Sequence, residues 1–242
     1  MKKIMTNVIF VIVFFTGLYL LLYPTVSSKW NAYRQSKLIT SYQQVVGQHA
    51  AESLIDYAGE REKAESYNAA LLPQVLPDAF ALAELAEVPD EEYMSSLNLA
   101  GDGMMGYVEI PRINLKVPIY HSADEEVLQD ATGHIEGSSL PVGGASTHAV
   151  ISAHRGLPTA KLFTELDQVQ DGDLILIHVL DEILCYEVDQ IMVVEPADTE
   201  YLGIVEGEDL VTLMTCTPYG VNSHRLLVRG HRVPYEAEEE AE

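Results

Sequence analysis

The chain opens with an uncharged, apolar run from Ile4 to Ser28, preceded by Lys2 and Lys3. About 20 apolar residues cross a bilayer as a helix, so the run predicts a membrane-spanning segment. Lysines on its N-terminal flank put that end in the cytoplasm and the remainder outside. A cleaved signal peptide has a shorter apolar centre, and Thr25-Val26-Ser27 is only a passable cleavage site, so the pattern favours an uncleaved signal-anchor. From Trp30 to Leu72 apolar residues recur at helical spacing (Tyr33, Leu38, Tyr42, Val45, Val46, Leu54, Tyr57, Ala64, Tyr67, Leu71) with charges between them. Gly47 and Gly59 are weak points that divide this stretch into two shorter helices, and Pro73 and Pro77 end it. Residues 78–103 are mixed and acidic, carry Pro89 and close on "AGDG"; they read as a loop or arm outside the core.

From Met105 the texture changes. "GYVEIP", "KVPIY", "HAVISAH", "DLILIHVLDEILCYEVDQIMVVEP", "DLVTLMTC" and "HRLLVRG" are short runs rich in Val, Ile, Leu and Tyr, punctuated by Gly, Pro and Asp. That spacing predicts an all-β barrel or sandwich. Leu174 to Val194 reads as a hairpin with Asp181-Glu182 near its turn. The predicted organisation is an anchor over 1–28, a helical segment over 29–77, a loop over 78–103, a β domain over 104–235 and a solvated acidic tail over 236–242.

Composition narrows the function classes. Of 242 residues, 48% are hydrophobic, enough for one medium domain with attachments. Acidic residues outnumber basic ones 37 to 14, a net charge of -23, and no Lys/Arg stripe offsets it, which excludes nucleic acid as a partner. The histidines show no close pair at metal-ligand spacing, so no metal site is expected.

The candidate chemistry lies at strand ends. Cys216 follows the predicted strand Leu210–Met214, and Arg225 stands near the start of the next, with "TPYGVNS" looping between. His154 ends the run Ala149–Ala153 and is followed by the turn "RGLP". Adjacent strands lie about 4.8 Å apart, so their ends can come within side-chain reach. A thiol, an imidazole and a guanidinium make an acyl-transfer site. A cationic His154 favours the Cys216 thiolate and returns a proton to the departing amine, and Arg225 donates to the oxyanion. Thr215 and Thr217 flank the nucleophile and are candidates for substrate contacts. Taken singly, each has a plainer role: a buried thiol acts as a small hydrophobe, His154 as a turn residue, Arg225 as an ion-pair partner. The second cysteine, Cys185, lies in the alternating "ILCYEVD" and reads as an inert buried thiol, in preference to a disulfide partner for Cys216.

"TLMTCTPYGVNSHRLLVRG" resembles the catalytic signature of the sortases, T-L-x-T-C followed by an arginine. "SLPVGG", "HRGLP" and "CTPYG" resemble the class C, pilin-polymerising branch in particular, and the likeness covers most of residues 64–235. The resemblance implies a closed sortase β-barrel of about eight strands with Cys216 as nucleophile, His154 as general acid/base and Arg225 as substrate-orienting, oxyanion-stabilising residue. It implies pilin subunits as partners: an LPxTG-like sorting signal cleaved through a Cys216 thioester, then transfer to a pilin lysine, with no cofactor. The rivals are a sortase whose acceptor is a cell-wall amine, a cysteine protease, and a non-catalytic pilus-assembly module.

Two departures from the class C pattern stand out. Class C sortases often carry a lid with an Asp-Pro-aromatic motif; here the matching stretch is Asp78-Ala79-Phe80, without the proline, so it is either a weakened lid or an ordinary loop. A C-terminal membrane segment, common in that class, is replaced by the acidic tail, so either one anchor suffices or the sequence is truncated.

Overall fold

The computed structural model describes residues 2–52, 55–71, 76, 78, 80 and 90–235. The tail 236–242, the helix-ending Pro73 and Pro77, and Ala79 of the lid stretch lie outside the described residues.

Helix α1 (Lys2–Glu52) is continuous from the apolar run into the region next to the barrel, passing Pro24 and Gly47 without a break. Gly47 does not divide it, contrary to the expectation, because Ile39 and Tyr42 hold this part of the helix against the barrel by burying themselves beside Met104 and Tyr107. Its N-terminal part is long and apolar enough to cross a membrane, and its large apolar side chains from Ile4 to Val26 are exposed. Helix α2 (Tyr57–Ala70) begins at Asp56, whose carboxylate accepts from the Gly59 amide as an N-cap.

Among the described residues eight strands close into one barrel: β1 (Met104–Ile110), β2 (Leu115–His121), β3 (Thr132–His134), β4 (Thr147–Ser152), β5 (Leu174–Val179), β6 (Glu182–Val194), β7 (Asp209–Thr217) and β8 (His224–Val233). Their order around the barrel is β1-β2-β3-β4-β7-β8-β6-β5. All neighbours are antiparallel except β2–β3 and β4–β7. The fold class is thus as expected: mostly β, a closed eight-stranded barrel with short helices behind a long apolar helix. The hairpin β5–β6 turns at Leu180-Asp181, as the sequence predicts.

Side chains alternate across the wall. Ala149, Ile151, Val211, Leu213, Leu226 and Val228 fill the interior. Val150, Met214 and Leu227, one position along, form a second apolar cluster on the outside with Leu128, Ile135 and Leu202.

Residues 90–97 correct the sequence reading. They form a short helix α3 (Glu91–Ser95), and Tyr93 and Leu97 are fully buried core residues, not a loop. The Tyr93 hydroxyl lies 3.0 Å from His134 Nδ1 and accepts from the Ser122 amide. A single large aromatic thereby ties this acidic stretch to β3 and to the turn after β2. The short strand β3 was absent from the predicted set, since Thr-Gly-His has no apolar alternation of its own.

Candidate active site

Register brings the chemistry together. β4 and β7 pair in parallel from Thr147↔Asp209 to Ser152↔Met214, and the same offset continued past β4 sets His154 abreast of Cys216. The ladder does continue: the Ala153 amide donates to Met214 O, and the Thr215 hydroxyl donates to Ala153 O at 2.7 Å. On the other side, β7 pairs with β8 so that Cys216 faces Arg225 directly. Cys216 is therefore flanked by His154 and Arg225, all on the outer face with Met214 and Leu227. The strand runs on past Met214 to Thr217, so Cys216 sits inside the ladder, held more firmly than a strand-end residue.

The hydroxyls of the two threonines flanking Cys216 both have partners within the fold. Thr215 is fully buried and its hydroxyl is committed to Ala153 O, so the hydroxyl positions the His154 segment. Thr217 accepts from Arg155 Nη1, whose Nη2 is paired with Asp167. Arg155 was overlooked in the sequence; its place beside His154 in "HRGLP" was the available signal. Gly156 follows with φ +83° and the Tyr219 ring packed against it, where a Cβ would approach the ring to 2.8 Å. Cys185 lies in β6 facing Leu176 and Val233, away from the site, and both cysteines are free and buried.

Asp78 and Phe80 lie on this site. Arg225 Nε donates to Asp78 Oδ1 at 2.7 Å and Nη2 to Oδ2 at 2.6 Å, a bidentate pair with both side chains about nine-tenths buried. Arg225 Nη1 donates to the carbonyls of Asn222 and His224, so every guanidinium nitrogen is engaged. The Phe80 ring lies 4.9 Å from the guanidinium carbon and 5.4 Å from the His154 ring, spanning both. Leu76, a residue the sequence did not single out, joins the outer apolar cluster with Phe80 packed against it.

Electrostatics follow from this cover. Burial pushes the Cys216 thiol up; Arg225 pulls it down, and Asp78 opposes that pull. Burial pushes His154 down, and Glu125 partly offsets this. With the cover in place the thiol and imidazole are both held toward their neutral forms.

A sortase domain model matches residues 108–233. The chain belongs to the sortase family. Sortase C of Streptococcus pneumoniae is 44% identical with a TM-score of 0.70, over 82% of this chain and 97% of that one; its structure was described for catalysis and pilin substrate specificity. Sortase C1 of Streptococcus agalactiae is 46% identical with a TM-score of 0.71, over 83% and 100% of the two chains. These likenesses place the chain with the class C sortases. Sortase D of Bacillus subtilis is 27% identical over 131 residues, 53% of this chain and 63% of that protein's length.

Proposed function

We propose that the protein is a membrane-anchored cysteine transpeptidase, with its barrel on the extracellular side, that joins pilin subunits. The observation that carries this reading is the register setting Cys216 between His154 and Arg225. The Cys216 thiolate attacks the threonine carbonyl of an LPxTG-like sorting signal. Arg225 donates to the resulting oxyanion, and His154 protonates the glycine nitrogen as the C–N bond breaks. The acyl group stays on sulfur as a thioester. A lysine amine of the next pilin then attacks it, gives its proton to His154, and expels the thiolate as an isopeptide bond forms. In the lid reading, Asp78 and Phe80 keep this site closed. A substrate carbonyl at Arg225 replaces the Asp78 carboxylate, so the guanidinium is never left buried and unpaired.

The test is mass spectrometry of the protein with an LPxTG peptide and a lysine-bearing pilin domain. An adduct on Cys216 that converts to a peptide–lysine isopeptide supports pilin polymerisation. An adduct that passes only to a cell-wall amine, or only to water, replaces it with the anchoring or protease reading.

A further inference from the structure

The barrel is held to α1 in a definite orientation. Asn31 Nδ2 donates to Thr159 O, in the loop that follows His154, and Gln35 Nε2 donates to Asp130 O just before β3. Roughly three turns further along α1, about 16 Å, the Tyr42 hydroxyl donates to Met105 O and accepts from the Leu180 amide in the β5–β6 turn. Those two attachments lie at opposite ends of the barrel. β6 and β8 pair from Val194↔Arg225 at one end to Cys185↔Val233 at the other, and the Leu180 turn belongs to the second. The end that carries His154, Cys216 and Arg225 is therefore the end nearest the apolar part of α1.

The separation is short. Asn31 comes just after Ser28, the last residue of the uncharged run, which is about 5 Å along a helix. It lies between Trp30 and Tyr33, exposed rings with centroids 6.1 Å apart, of the kind that settle at a membrane–water boundary. Thr159 thus sits at the level of that aromatic pair. The β7–β8 loop leaves the same barrel end, its Tyr219 ring packed on Gly156. Its tip leaves two large apolar side chains in solvent, Tyr219 60% and Val221 68% exposed. Three acids on the loops at this end are paired: Asp130 with Arg34, Asp167 with Arg155, Glu165 with Lys161.

We infer that the active-site end of the barrel rests on the lipid surface, with Tyr219 and Val221 seated among the headgroups. Tyr219 carries a polar hydroxyl on an apolar ring and Val221 is wholly apolar, a pairing suited to that boundary. Polypeptides then reach Cys216 along the membrane plane, so the site takes segments held close to the bilayer and disfavours those presented from far outside it. The inference rests on α1 being a membrane anchor and is independent of the catalytic reading.

The experiment places the full chain in vesicles whose lipids are brominated near the headgroup end of the acyl chains and reads tryptophan quenching. Trp30 is the sole tryptophan and serves as the depth reference. Val221→Trp and Ile183→Trp are each made with Trp30→Phe; Ile183 is 37% exposed beside the β5–β6 turn. The expected result is a several-fold loss of emission for Val221→Trp and little change for Ile183→Trp. Equal, weak quenching of both overturns the inference, with the barrel standing clear of the lipid. Strong quenching of both also overturns it, with the barrel lying on its side. An unquenched Trp30 removes the anchor itself and the docking with it.

Discussion

Asp78 and Arg225 are separated by 147 positions in the chain and joined by two parallel hydrogen bonds of 2.7 and 2.6 Å. The pair occupies the donors that an oxyanion would need in the proposed reaction, and the Asp78 charge opposes the pull of Arg225 on the Cys216 thiol. Replacing Asp78 by Ala removes that opposition. The thiol of Asp78→Ala is expected to react with iodoacetamide on the order of tenfold faster at neutral pH, as its thiolate fraction rises. An alkylation rate indistinguishable from the wild type would sink the closed-lid reading.

Phe80 acts on the other partner. It covers the His154 ring, and burial is the main reason the imidazole is held below its ordinary range. Phe80→Ala admits water, which stabilises the charged form, so the His154 midpoint moves upward. Ring-proton NMR shifts followed against pH give that midpoint directly. The alkaline limb of the pH–rate profile should move the same way if the protonated imidazole is the acid in turnover.

Arg225→Lys keeps the positive charge and discards the planar fork. A single ammonium does not reproduce the two-pronged geometry seen with Asp78, so turnover should fall by roughly 10²- to 10³-fold. Steady-state kinetics with a sorting-signal peptide separate the effects: the loss belongs in kcat if the fork serves the transition state, and in KM if it only holds substrate.

His134 supplies a prediction about the scaffold. It is completely buried, its Nε2 facing Ser139 O at 2.8 Å, and burial lowers it from 6.5 to about 4. The folded state keeps it neutral while the unfolded chain takes up a proton, so stability is full above pH 6.5 and is lost as pH falls toward 4. The loss from this group is on the order of 3 kcal/mol. Urea unfolding between pH 7 and 4 measures it, and His134→Gln should flatten the slope over that interval even if it lowers stability at pH 7.

The barrel was readable because its strands are short apolar runs between turn residues, and Cys216 and Arg225 because one loop separates them. What brings His154 to Cys216 was not readable: the parallel pairing of β4 with β7 skips two intervening strands, and no local pattern encodes such a partner. The buried Tyr93 was hidden for a different reason. It is one aromatic in an acidic stretch, and its long-range contacts with Tyr67, His121, His134 and Ser122 make it core. At Thr215, beside Cys216, the hydroxyl goes to the backbone of Ala153, a long-range partner that no local pattern encodes.

The parallel β4–β7 ladder has a consequence for biogenesis. Loop closure between distant segments is slow and comes late in folding, because its entropy must be met before contacts repay it. The local β7–β8 hairpin sets Arg225 beside Cys216, but the imidazole reaches the thiol only when the β4–β7 ladder forms. A half-folded chain with the hairpin alone therefore carries a thiol beside a guanidinium but without its imidazole. Under the proposed acyl-transfer reading, the thiol and the imidazole meet only as the barrel is completed, so an unfinished chain lacks the full constellation.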